Sequence, residues 1–158
     1  MADQLSATDW LDQGLKTLAK SGFTALKADP LAKQLGVSRG SFYWHFTDVE
    51  AFHAAVLTRW REIATEQVIV NLEAQPRGDA LPQLLRRAFS FKPELELAVR
   101  SWATHDGTAR KAVQAIDQRR LSYIEQLLRQ SGASAETARA RAQILYWAFL
   151  GYVLSDKP

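Results

Sequence analysis

The sequence contains no cysteine. That excludes disulfides, thiolate metal sites and cysteine nucleophiles together, and it fits a reducing compartment. No basic stretch followed by an apolar run opens the chain, so no secretory signal is expected. The longest nearly apolar run, Ile144 to Leu154, is about half of the roughly 20 residues that a membrane span needs. There is no glycine-rich phosphate loop, no Gly-x-Ser-x-Gly elbow and no His-Glu-x-x-His pair, so the usual marks of an enzyme are missing. His45, His53 and His105 are too scattered to suggest a metal site. Glu50 and His53 stand at i, i+3, a spacing that can share a metal but usually marks a solvated helix face. No catalytic residue, metal or cofactor is expected, and the expected location is the cytoplasm.

What the chain does have is core-forming material. Of its 158 residues, 47% are hydrophobic and 23% charged, the balance of an ordinary globular protein. The formal net charge of +3 permits a nucleic-acid partner without demanding one. Its distribution weakens the point. Residues 1–50 hold five bases (Lys16, Lys20, Lys27, Lys33, Arg39) against six acids (Asp3, Asp9, Asp12, Asp29, Asp48, Glu50). Only between Thr24 and Phe46 do bases outnumber acids, three to one.

Apolar spacing reads as helix nearly throughout, and the expected fold class is all-α. Leu11, Leu15 and Leu18 share one face of a first helix over about 8–21, with Thr8 as its cap and Gly22 as its stop. A short helix starts at Asp29-Pro30, with Asp29 as the cap and Pro30 in the first position, and ends at Gly36. Ser38 is expected to cap a second short helix that runs through about Trp44. A single long helix is expected from Thr47 to about Asn71, with an inward stripe of Phe52, Ala55, Val56, Trp60, Ile63 and Val68. Pro76, Gly78 and Asp79 form a loop. Four more helices follow, over about 79–91, 93–104, 108–131 and 134–155. The last is apolar on almost every side from Ile144 onward. A helix apolar all round must be covered all round, and a partner subunit is the cover expected in so small a chain.

The stretch Ala28 to Phe46, ADPLAKQLGVSRGSFYWHF, places two short helices around a tight Gly36-Val37-Ser38 turn. That is a helix-turn-helix pattern, in which the second helix enters the DNA major groove. At about 100° per residue, Ser38, Phe42, His45 and Phe46 cluster on one side, the two phenylalanines being the anchor. Arg39, Gly40, Tyr43 and Trp44 fall on another, with Ser41 beside them. Glycine inside a helix costs about 1 kcal/mol relative to alanine, and close approach of another molecule to the backbone is one reason to keep it. Arg39 can make a bidentate contact to guanine, while Ser38, Ser41, Tyr43 and His45 can reach phosphates. The plainer alternative packs Tyr43 and Trp44 beneath the long helix and leaves Arg39 solvated.

LAKQLGVSRGSFYWHF resembles the helix-turn-helix signature of TetR-family regulators: a Leu-Ala pair, then Gly-Val-Ser, then an aromatic-rich Tyr-x-His-Phe ending. The resemblance covers roughly residues 8–60. AVRSWATHD (98–106) and IDQRRLSYIEQLL (116–128) resemble the C-terminal domains of some members more weakly. The resemblance implies a helix-turn-helix DNA-binding domain over 1–46 and a helical dimerisation and ligand-binding domain over 47–158. It implies a homodimer through the last two helices, a palindromic double-stranded operator, a small-molecule effector, and a repressor's role. There are two departures. The Thr that often caps the second helix is replaced by Lys27 or Ala28, leaving Asp29 to cap. The Lys that often opens the fourth helix and holds a phosphate is Val49 here, so affinity is expected to lean on Lys27, Thr47 and Tyr43. The ending at Asp156-Lys157-Pro158 is early for the family, which suggests a compact member or a native chain that continues.

Residues expected to line an effector pocket are Trp60, Phe89, Phe91, Trp102, His105, Tyr123 and Trp147, an apolar wall with few polar groups. Each of them singly also suits a core position. Two other readings stay open: a DNA-binding regulator with no small-molecule effector, and a protein-interaction module reusing the helix-turn-helix. The acidic count of the head and Val49 are the features that favour the second of these.

Overall fold

A computed structural model describes residues 5–76, 78 and 80–155. Asp79 and residues 156–158, which figured in the expected loop, helix start and chain ending, lie outside the described residues. The described residues form helices with no strand: α1 (Ala7–Ser21), α2 (Ala28–Leu35), α3 (Arg39–His45), α4 (Val49–Arg61), α5 (Gln67–Glu73), α6 (Ala80–Ala88), α7 (Glu94–Ala103), α8 (Gly107–Gln130) and α9 (Ala135–Leu154). The all-α expectation holds. None of these helices is long and apolar enough to cross a membrane.

The chain divides into two compact units. One contains residues 1–61 with 94–113, so α7 and the start of α8 belong with the head. The other contains 62–93 with 114–158.

In the first unit, α1 is capped by Ser6, not Thr8. The Ser6 hydroxyl accepts from the Asp9 backbone N–H, and the Asp9 carboxylate accepts from the Ser6 N–H at 2.7 Å. This reciprocal capping box satisfies two amides that the first turn would otherwise leave unpaired. The hydrogen bonds from Ser6 also hold the Asp9 carboxyl below its ordinary pKa. The core of this unit is aromatic. Phe42 meets Trp10, Phe46 and Phe52 at centroid distances of 5.4, 5.2 and 5.2 Å. The 3-10 turn Phe23–Ala25 closes a second cluster, in which Phe23 stacks on Trp102 of α7 at 4.5 Å and meets His53 edge-on. The His53 Nε2 is 2.9 Å from the Leu26 carbonyl oxygen, which ties the ring to the segment after the 3-10 turn.

Gly14 decides how closely α1 and α4 approach. A Cβ there would stand 2.8 Å from the Phe52 ring tip and 3.2 Å from Val56. Both neighbours are fully buried and have no room to retreat. Gly14→Ala gains about 1 kcal/mol of helix propensity and loses about 1–3 kcal/mol to overpacking. A thermal melt should show net destabilisation. A rise in Tm would mean that α1 and α4 are not locked at this distance.

The expected long helix begins at Val49, not Thr47. Asp48 caps it, accepting from the Ala51 N–H at 2.7 Å. The helix is also not uniform, because residues Glu62–Glu66 form a π-helical turn between α4 and α5. One extra residue per turn shifts the phase of the helix, so Thr65, Val68, Ile69 and Leu72 become the buried positions beyond it. In the second unit, Arg120 of α8 donates to the Thr65 hydroxyl at 2.9 Å and to the Ala64 carbonyl at 3.3 Å, supporting the turn.

The second unit buries Ile124, Leu128, Ala138, Ala142, Tyr146, Phe149 and Val153 where α8 and α9 pack. Ser134 caps α9 by accepting from the Thr137 N–H. The buried positions of α9 fall on one side only. Ile144, Trp147 and Leu154 are 63%, 63% and 64% exposed, and Ala148 and Gly151 lie exposed on the same stripe.

A candidate nucleic-acid interface

The site rests on how α2 and α3 are held. α2 is tied to α1 by a polar cluster: the Thr17 hydroxyl donates to Gln34 Oε1 at 2.9 Å and Gln13 Nε2 donates to the same oxygen at 2.6 Å. α2 ends at Gly36, whose φ of 70° and ψ of 28° lie in the left-handed region that glycine adopts without steric cost. The Gly36 and Val37 N–H groups then donate back to Lys33 and Ala32 carbonyls, closing the helix and turning the chain. Ser38 follows at the N-cap of α3.

α3 has seven residues and buries one of them, Phe42. Phe46, just beyond its end, is also buried. These two anchors turn the opposite face outward. Tyr43 is 44% exposed and Trp44 84% exposed, so the alternative that packs them beneath α4 does not hold. Arg39 and Gly40 are exposed on the same side. Ser38 is exposed and its side chain caps no backbone amide, while Ser41 and His45 are half-buried. Lys27, at the N-cap position of α2, and Thr47, just past α3, are exposed flanks. No acid lies on α3 itself.

Two aromatics, an arginine and a glycine bare to solvent over two turns form a costly surface unless something covers it. Gly40 sharpens the point. A Cβ there would meet only the Ser38 hydroxyl, at 3.7 Å, so no packing within the chain requires glycine. Gly40→Ala should therefore stabilise the free protein by up to about 1 kcal/mol. If the backbone of α3 is approached closely by a ligand, the same change should weaken that binding. A melt and a binding titration on one variant read the two signs separately. A rise in Tm with undiminished binding would remove close approach as the reason for glycine.

Arg39 is not loose. Its guanidinium donates to the Tyr43 hydroxyl at 3.3 Å, pairs with Asp29 at 3.4 Å and lies 5.7 Å from the Tyr43 ring centre. The Tyr43 hydrogen bond, then Asp29, raise its pKa above the ordinary arginine value. Asp29 therefore does not cap α2 as expected. It sits inside the first turn, Lys27 takes the N-cap position with no side-chain bond, and Pro30 is the third helical residue and not the first. An exposed pair of this kind is weak enough for a better partner to displace. The Asp29–Arg39 contact pre-aims the guanidinium along the exposed face.

Residues 11–56 match the family model described as bacterial regulatory proteins, tetR family. Over that stretch the chain is similar to the tetR family of bacterial regulatory proteins. The match takes in α2, the turn and α3 whole, together with most of α1 and the first half of α4. A comparison with curated proteins gives no significant match. Among solved structures, the crystal structure of E. coli NemR in its reduced form superposes with a TM-score of 0.78 at 20% identity, over 92% of this chain and 84% of that one. At that identity the likeness is one of fold. The crystal structure of BioQ with its natural double-stranded DNA operator aligns more loosely, with a TM-score of 0.47 at 21% identity, over 96% of this chain and 85% of that one.

The residues expected to form an effector pocket are distributed over both units. Trp60, Trp102 and His105 belong to the first unit, where the two tryptophans are buried and His105 is exposed. Trp102 is taken up by its stack on Phe23. Phe89, Phe91, Tyr123 and Trp147 belong to the second unit. There Phe89 meets the Tyr152 ring, Phe91 stacks on Phe149, and Trp147 points outward from α9. Tyr123 is buried among Val68, Ile69, Leu72 and Leu127, and its hydroxyl has no partner among the described residues. Burial raises its pKa, and the nearby Glu73 carboxylate adds to the shift. The described groove in this unit, between α5 and α6, is lined by none of the seven.

Proposed function

We propose that this chain is a sequence-specific DNA-binding transcriptional regulator, acting as a ligand-responsive repressor on a palindromic operator as a homodimer. The observation that carries the reading is the bare face of α3, where Arg39, Gly40, Tyr43 and Trp44 stand exposed while Phe42 fixes the helix from behind. The head's family match supports it. Arg39 offers a planar fork suited to guanine O6 and N7. Tyr43, Ser38, His45, Lys27 and Thr47 surround it as groups that set register on phosphates.

The dimer is supported by the stripe Ile144, Trp147, Ala148, Gly151 and Leu154, an apolar face left uncovered within one chain. Small residues at 148 and 151 between large ones let a second helix approach closely. On such a dimer the two heads would read half-sites about 34–36 Å apart, one turn of DNA. An effector acts by favouring the head spacing that does not fit this distance, and only to the extent of its preference for that state.

Arg39→Ala is expected to cost about 1–3 kcal/mol in operator affinity and to relax preference at one base position of each half-site. Competition between the operator and single-base variants measures this. Equal weakening on all sequences would assign Arg39 to the phosphates and take the base-reading role from it.

A further inference from the structure

The groove between α5 and α6 has a volume of about 420 Å³, within the range of small-molecule sites. Its α5 side presents Val68, Asn71, Leu72 and Gln75, and its α6 side presents Gln83, Arg86, Arg87 and Ser90. Both sets run i, i+3, i+4, i+7, so each is one face of a helical path, and the two faces oppose each other across the space. Val68 and Leu72 are nearly buried and form an apolar floor. Asn71, Gln75 and Gln83 supply amides. Asn71 accepts from Gln67 at 3.2 Å through its oxygen, which leaves its N–H groups to donate elsewhere.

Arg86 and Arg87 give the groove its sign. Neither has a carboxylate partner among the described residues, and no acid lines the space. Their place in the last turn of α6 suits the helix dipole. The dipole accounts for two cations at a helix end, but not for a groove with an apolar floor, amide walls and no counter-charge among the described residues. α6 packs Leu81 and Leu84 against the core behind it and buries none of its residues fully, so its polar side stays open to the groove.

We propose that this groove binds a small organic carboxylate with an apolar tail: the carboxylate on the Arg86 and Arg87 forks and the tail on Val68 and Leu72. We also assign it as the effector site, a step that rests on the regulator reading above. The binding claim does not.

The test uses the full chain and a matched probe set of 4-phenylbutyrate, 4-phenylbutanol, 4-phenylbutylamine and inorganic phosphate, with binding followed by saturation-transfer NMR and titration. The carboxylate should bind at least tenfold tighter than the alcohol, the amine or phosphate. The double variant Arg86→Gln/Arg87→Gln should lose that preference and bind the alcohol as before, with an unchanged melt. Equal binding of acid and alcohol, phosphate binding as well as the acid, or a preference that survives the double variant would each overturn the site. DNA affinity is then measured with and without 4-phenylbutyrate. An arginine-dependent fall in DNA affinity supports the effector assignment. Carboxylate binding that leaves DNA affinity unchanged overturns that assignment while the site stands. If the chain binds no DNA, the effector assignment falls with the regulator reading, and the probe series alone judges the groove.

Discussion

Phe42→Ala should detach the recognition helix and destabilise the protein by about 3–5 kcal/mol, the usual cost of deleting a buried phenylalanine side chain. Phe42 is fully buried, and it is the single buried residue of α3. Its ring touches Trp10 of α1, Phe52 of α4 and Phe46 just past the end of α3, so two other helices lose contact with α3 at once. A seven-residue helix has almost no stability of its own. Without this anchor, the one buried ring left at α3 is Phe46, just beyond its end. DNA binding should fall with folding of the head, and both should recover in Phe42→Leu, which refills much of the volume. Denaturant unfolding of the three proteins measures this. A loss below about 1 kcal/mol for the alanine variant, on the same cavity scale, would show that α3 is held by something other than its aromatic anchor.

Trp147→Asp carries the second large effect, on assembly. The Trp147 side chain is 63% exposed, so the change should leave the fold of one chain intact. It places a charge in the middle of the stripe from Ile144 to Leu154. If that stripe is the subunit contact, the carboxylate is desolvated against its symmetry mate, and like charges in an interface repel. Sedimentation should give a dimer for the native chain and a monomer for the variant. Operator affinity should fall about 10²–10⁴-fold, the effective-concentration advantage lost when two heads are no longer joined. An unchanged dimer would move the interface elsewhere. A monomer with full operator affinity would show that one head suffices.

The exposed face of α3 was readable because it depends on local geometry. Helical rotation alone separates Phe42 and Phe46 from Arg39, Gly40, Tyr43 and Trp44, and the structure keeps that separation. The cap of α1 was readable too, in Ser6-Ala7-Thr8-Asp9, a hydroxyl followed three residues later by an acid. Choosing Thr8 overlooked that pairing. Asp29 could not be read this way. Local rules make it a cap, but Arg39 lies ten residues on and draws the carboxylate across the turn. Gly14 looked like any helical glycine until Phe52 was found 2.8 Å from where its Cβ would stand. The π turn left one trace, a step from buried Trp60 to buried Thr65 that the ordinary helical period does not make. Of the aromatic residues expected to line a pocket, Trp60, Trp102 and Tyr123 are buried. The groove lined by arginines and amides on α5 and α6 brings two segments together, a tertiary fact that no single stretch records. α9 was read as covered on every side, yet its apolar residues divide into a buried and an exposed face, and the exposed one makes the case for a partner subunit.

The central claim is that the exposed face of α3 reads DNA sequence. The most direct test titrates the pure protein with DNA from upstream of its own gene, in the presence of random competitor, across a salt series. Binding should resist the competitor by about 10³-fold or more and weaken steeply as salt rises, as phosphate contacts require. Arg39→Ala should erode the resistance more than the salt slope. Binding to random DNA that equals binding to the upstream DNA, with no change in Arg39→Ala, would contradict the account.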